Sequence, residues 1–213
     1  MGYLLKRKLL HLFFPTRCPV CGCFIGAMER FCVSCEEKLT RYEESFGIEG
    51  AVSFTAAFVY DDNIRPAVFL LKDGTDGNAA YALGGALADR LRENGSANGT
   101  DIIVPAPMHR RDIRRRGFNQ SALIAAEVSR ILDIPTDPKA VTHTQKGLGK
   151  SGRAVNLRNA FSASDRLKGK NVLLIDDICT TGSTLREITA AIKKAGAASV
   201  SCACCCKTSS RKD

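Results

Sequence analysis

Residues 172–184 read VLLIDDICTTGST. Four apolar residues run into the adjacent pair Asp176 and Asp177, and a loop of hydroxyl residues then surrounds Gly182. An unbroken apolar run is how a strand buried on both faces of a parallel sheet is written. In such a sheet ligands collect at the carboxyl ends of the strands. The two aspartates stand at that end of a strand over 172–175, where a turn can bring both toward one ligand. Carboxylates there can accept hydrogen bonds from a diol or help hold a hydrated Mg²⁺. The loop CTTGST leads into a helix over 184–195. Its backbone N–H groups, its hydroxyls and the positive helix end form a cradle for one phosphate. A diol reader beside a monophosphate cradle describes a ribose 5-phosphate.

The segments around this stretch predict the sheet it belongs to. VSFTAAFVY has the β-branched and aromatic content of a strand. NIRPAVFLL reads as a short helix or turn leading to LKDG. Residues 78–94 have helical periodicity despite a glycine pair, and GSANG stops them. DIIVPAP is a strand ended by prolines. RRRGFNQSALIAAEVSRILD reads as an amphipathic helix entered through a polar loop, and SVSCACCC as a last strand. Strands alternating with helices predict an α/β domain with a mostly parallel sheet flanked by helices. The glycine-rich, basic stretch at 143–156 reads as a loop. It contains TQKGLGKS, one residue short of a P-loop because Thr144 replaces the first glycine, with no apolar strand before it.

The ten cysteines fall mostly into two groups. Cys18 and Cys21 form one C-x2-C, and Cys32 and Cys35 form another ten residues later. Two such knuckles offer four thiolates to one tetrahedral ion, and zinc takes that arrangement. Two disulfides or a redox pair are the other reading, disfavoured in a reducing compartment. Four cysteines leave no open coordination position, so the site is expected to be structural, with Cys23 outside it. Cys202, Cys204, Cys205 and Cys206 have the wrong spacing for a second knuckle and are expected to pack as small apolar residues in a buried strand.

Composition bounds the rest. The 213 residues suffice for a medium domain and a small appendage, and 45% of them are hydrophobic. The expected division is a helix and four-cysteine zinc module over 1–46 and the α/β domain over 47–213. There are 31 Lys and Arg against 22 Asp and Glu, a net charge of +9, which favours an anionic partner. No apolar run approaches the ~18 residues of a membrane span. The opening MGYLLKRKLLHLFFP lacks a small-residue cleavage site, so it is expected to be an amphipathic helix packed on the next segment, in a cytoplasmic chain.

The 172–184 stretch resembles the phosphoribosyl pyrophosphate (PRPP) signature of type I phosphoribosyltransferases. The resemblance implies that Asp176 and Asp177 face the ribose hydroxyls and that Thr180, Thr181, Gly182, Ser183 and Thr184 hold the 5′-phosphate. It implies that Lys72, Asp73 and Gly74 lie where relatives bind pyrophosphate, often across a cis peptide. It also implies that 143–156 is a hood closing over PRPP, with Lys146, Lys150 and Arg153 toward the anion. The catalytic candidates are then Asp176, Asp177, Lys72 and Arg153, with Mg²⁺ carried in by PRPP. Thr180 stands where purine-salvage relatives have a carboxylate, which disfavours a purine acceptor.

FPTRCPVC, LKDG, VPAPMHRRDIRRRGFNQ and TQKGLGKSGRAVN, taken with this signature, resemble the ComF family of competence proteins, a zinc module joined to a transferase-like domain. The resemblance implies a link to DNA uptake, with single-stranded DNA and a competence helicase as partners and a homodimer as a further expectation. Two classes follow: a PRPP-dependent enzyme or sensor, and a zinc-bearing adaptor that uses the fold as a scaffold. The five arginines between Arg110 and Arg116 fit pyrophosphate capture, nucleic-acid phosphate contact or a solvated helix start.

Overall fold

The computed structural model describes residues 2–74, 77–144 and 160–209. Four parallel strands form the central sheet: β1 (Ser53–Val59), β2 (Ile102–Pro105), β5 (Asn171–Cys179) and β6 (Ser199–Lys207), in the order β1-β6-β5-β2. The two innermost strands are the two continuous apolar runs. Their pleat divides the core. Leu173, Ile175, Ala203 and Cys205 join one buried cluster with residues of helices α3 (Arg65–Asp73), α4 (Gly77–Glu93) and α6 (Gln120–Leu132). Val172, Leu174, Val200, Cys202 and Cys204 join a second cluster with Leu185, Ile188 and Ile192 of α7 (Ser183–Lys194). The cysteines of β6 are packing residues as expected, and burial pushes the Cys204 and Cys205 thiols well up.

The glycine pair of α4 has a packing reason. A Cβ on Gly84 would stand 2.9 Å from Cβ of Glu127, so its absence lets α4 and α6 approach closely. A Cβ on Gly85 would overlap the guanidinium of Arg30, which reaches α4 from the cysteine-rich segment and pairs with Asp89. Phe31 stacks edge-on against Phe58 of β1, with centroids 6.0 Å apart. The cysteine-rich segment therefore shares the core of the sheet domain.

Three local differences from the sequence reading have physical causes. The arginine cluster is itself a helix, α5 (Arg110–Arg116), closed by Gly117 at φ 85° before α6 starts. The LKDG segment is the last turn of α3, capped by Gly74 at φ 70°, rather than a loop, and no cis peptide occurs among the described residues. Helix α1 (Gly2–Phe13) does pack on the chain, but through Tyr3 and Arg7, while most of its leucines face outward. No helix among the described residues is long and apolar enough to cross a membrane.

Candidate functional site

The site forms where β5 outlasts β2. The β2–β5 ladder ends at Pro105 opposite Ile175, whereas the β5–β6 ladder continues to Cys179 opposite Lys207. Asp176 and Asp177 thus lie inside a strand that is still paired on one side, not at its end. Successive side chains of a strand diverge, and the two carboxylates have different partners. Ser121 Oγ donates to Asp176 Oδ1 at 2.8 Å, and the Asp177 N–H donates to the same oxygen at 2.9 Å. Asp177 Oδ1 accepts from the Ile178 N–H at 2.9 Å, and its Oδ2 lies 4.0 Å from Nζ of Lys72.

These environments set the charges apart. Burial, then the neighbouring Asp177, push the Asp176 carboxyl up to about 8, while the Ser121 hydrogen bond pulls the other way. Asp177 faces a cation. One carboxyl is held near protonation while its neighbour has a lysine within reach, an arrangement that makes the pair a functional-site candidate.

Ser121 is positioned by the RGFNQ segment. Asn119 caps α6 by accepting from the Ser121 N–H at 3.0 Å, and its Nδ2 donates to Ala106 O, just past β2, at 2.9 Å. One residue earlier, the Phe118 ring occupies the space a Cβ on Gly74 would need. LKDG (71–74) and RGFNQ (116–120) therefore meet beside β5, and α3 brings Lys72 there.

The phosphate loop follows. Gly182 has φ 76°, a left-handed conformation that glycine adopts without strain. A Cβ there would also stand 2.6 Å from Ile48 Cδ1 and 3.1 Å from Phe46 Cε1. Thr181 Oγ1 donates to Ser183 Oγ at 3.1 Å and accepts weakly from the Ser183 N–H at 3.4 Å. Thr180, Thr181 and Thr184 are exposed, and Ser183 is half-buried. The loop opens onto the first turn of α7, whose N–H groups have no acceptor within the helix, and no acidic side chain stands in that turn. This arrangement can hold a phosphate.

Two short antiparallel strands, β3 (Val141–His143) and β4 (Phe161–Ala163), stand beside the end of β2. His143 Nε2 lies 3.1 Å from Pro107 O, and its ring packs against Phe161 and His109 at centroid distances of 4.7 and 5.6 Å. Burial lowers the His143 pKa. These strands bracket the expected hood. Lys146, Lys150 and Arg153 lie outside the described residues. The five arginines of α5 come from a helix with no buried residue, and Arg115 pairs with Asp112 at 3.4 Å.

Sequence reasoning missed Ser121, Phe46, Ile48 and the histidine pair. Ser121 had a signal: it is the second residue after the helix-capping Asn119. Nothing local marks Phe46 and Ile48, which lie well over a hundred residues before the loop they support.

The cysteine cluster is separate. Sγ atoms of Cys18, Cys21, Cys32 and Cys35 all lie within 4.8 Å of one another, with Cys21 and Cys32 at 3.6 Å. A tetrahedron with Zn–S bonds of ~2.3 Å has edges of roughly 3.8 Å, so the four sulfurs fit one zinc ion with little movement. The Gly22 N–H donates to Cys18 O at 2.9 Å and Cys32 caps the short helix α2 (Val33–Glu36), so each knuckle ends in a turn that turns its thiols inward. Cys23 is not one of the four, although its thiol neighbours those of Cys21 and Cys32.

Known proteins agree with this architecture. Residues 118–213 match the family model of the phosphoribosyl transferase domain, and residues 9–48 that of the double zinc ribbon domain. With the four-sulfur cluster, the second match supports a structural zinc. The chain is 31% identical over 201 residues to the DNA utilization protein YhgH of Escherichia coli (strain K12), covering 91% of this chain and 85% of that protein. It is 40% identical over 104 residues to competence protein F of Haemophilus influenzae, covering 45% of each. It is 26% identical over 188 residues to competence protein ComFC of Bacillus subtilis (strain 168), covering 86% of this chain and 75% of that protein.

Proposed function

The chain belongs to the family of competence protein F and the DNA utilization protein YhgH, with a type I phosphoribosyltransferase fold and a zinc ribbon, and from that premise we propose that the edge of β5 binds PRPP with Mg²⁺. The observation that carries the reading is one juxtaposition. An acidic pair of split environment stands between Lys72 and a Gly182 turn opening onto the start of α7. Thr180, Thr181, Gly182, Ser183 and Thr184 hold the 5′-phosphate. Asp176 and Asp177 accept from the ribose hydroxyls. Lys72, Asp73 and Gly74 border the pyrophosphate.

The donor set fits Mg²⁺, since the adjacent ligand atoms of the acidic pair are carboxylate oxygens, the hard donors that ion takes. Asp177 and Asp176 would hold the hydrated ion, which when bound neutralises charge on the leaving pyrophosphate. The chain's own contribution is orientation. Ser121 fixes the Asp176 carboxylate, and Lys72 places a positive charge on the Asp177 side. Arg153, from the hood, is the further cation of this reading, and Arg116 of α5 is another candidate.

The proposed organisation is a zinc module over 1–46 docked on a transferase-like domain over 47–213, in the cytoplasm. Titration calorimetry of PRPP with Mg²⁺ tests the binding, and pyrophosphate release with candidate acceptors tests turnover.

The adaptor reading has its own support in the exposed α5, five arginines on one short helix, and in the names of the relatives. In that reading α5 contacts single-stranded DNA phosphates, beside a helicase partner and within a homodimer. Binding to an oligonucleotide that weakens steeply with salt, and that R114A/R115A abolishes, is its test.

A further inference from the structure

Helix α1 meets the rest of the chain with its polar side. Arg7 Nε donates to Ala27 O at 2.6 Å, and its guanidinium lies 3.5 Å over the Tyr81 ring. Tyr3 sits under Arg130 at 4.4 Å, and the Thr16 N–H donates to His11 Nδ1 at 3.0 Å. At 3.6 residues per turn, Tyr3, Arg7 and His11 form one stripe about 80° wide.

The opposite side is apolar and uncovered. Leu5, Leu9, Leu12 and Phe13 fall within a sector of about 100°, and all four are exposed, Leu12 by 74% and Phe13 by 78%. Leu10 and Phe14 extend the exposed surface. Lys8 lies on one border of the sector and Lys6 on the other. No acidic residue occurs before Glu29.

We propose that α1 is an interfacial anchor that lies flat on an anionic lipid bilayer. Its apolar sector enters the boundary between headgroups and acyl chains, and Lys6 and Lys8 extend from the two borders to lipid phosphates. Three observations select this occupant. The helix has 12 residues, about 18 Å of length, too short for a hydrocarbon core of ~30 Å but suited to lying in its plane. A cation borders the sector on each side with no acidic residue nearby, which complements anionic headgroups. The same charges oppose pairing of two α1 helices, which would set lysines against lysines. Arg7 and Tyr3 hold the helix on the chain from behind, so the sector can face a membrane without α1 detaching.

The test is co-sedimentation of the zinc-loaded full chain with vesicles of phosphatidylcholine alone or with added phosphatidylglycerol. The expected result is binding that requires phosphatidylglycerol and weakens with salt. L9Q/F13Q should lower the partition at least tenfold, and K6Q/K8Q by about ten- to thirtyfold at low salt. L9Q/F13Q alters exposed side chains and should melt with wild-type protein; should it not fold, K6Q/K8Q decides alone. Failure to bind either vesicle, equal binding to both, or wild-type partition of the variants would overturn the proposal. So would a self-association in sedimentation velocity that L9Q/F13Q removes while vesicles have no effect.

Discussion

Ser121 Oγ donates to Asp176 Oδ1 at 2.8 Å, across 55 residues of sequence. The bond ties the start of α6 to the acidic pair and favours the charged form of a carboxyl that burial would keep neutral. Replacing Ser121 with Ala should raise the Asp176 pKa further and weaken PRPP·Mg²⁺ binding near neutral pH by roughly tenfold, the value of a hydrogen bond to a charged group. The defect should shrink at high pH, where Asp176 ionises without help. Calorimetry of S121A against wild type at two pH values checks this.

Asp176 also makes the ligand-free protein pH-sensitive. Its pKa is raised in the folded chain, to about 8, above an unfolded value of ~3.9. The folded state therefore binds more protons between those values. The contribution is fully present below about pH 4 and is lost as pH rises to about 8. Asp176→Asn keeps an acceptor for Ser121 and removes this loss. The variant should be more stable than wild type at pH 8, and the difference should shrink as pH falls, measured by urea unfolding of the zinc-loaded chain without added Mg²⁺.

The Gly182 turn should tolerate no side chain. Gly182→Ala imposes a left-handed residue and a Cβ 2.6 Å from Ile48 Cδ1. It should cost about 1–3 kcal/mol and reduce phosphate binding. G182A/I48V should recover the packing part of the loss and leave the backbone part, which thermal melts separate.

Zinc should be present at one ion per chain. C32S should release it and lower the melting temperature by more than C204S, because the ribbon shares Phe31 and Arg30 with the sheet domain. Elemental analysis should show C204S loaded like wild type, since Cys204 lies buried in β6.

What could be read in advance followed from how local the signal was. Strands β5 and β6 were legible because both faces are buried and the apolar run is unbroken. The zinc knuckles were legible because their spacing is local. The reach of β5 to Cys179 was not, because it depends on pairing with β6 rather than on its own composition. The α5–α6 break hid in Gly117, Phe118 and Asn119, read as an entry loop when they close one helix and cap the next. Amphipathicity revealed that α1 has two faces, but which one docks was decided by Ala27, Tyr81 and Arg130, all distant in sequence.

The central claim is that the β5 edge reads a phosphorylated ribose with a diphosphate and not merely an anion. Titration of D176N/D177N with PRPP·Mg²⁺ and, separately, with inorganic phosphate tests it most directly. The account predicts that PRPP binding falls by roughly a hundredfold or more, the loss of two charge-assisted contacts, while phosphate at the Gly182 turn changes little. Equal weakening of both ligands, or PRPP affinity unchanged by the double substitution, would contradict it.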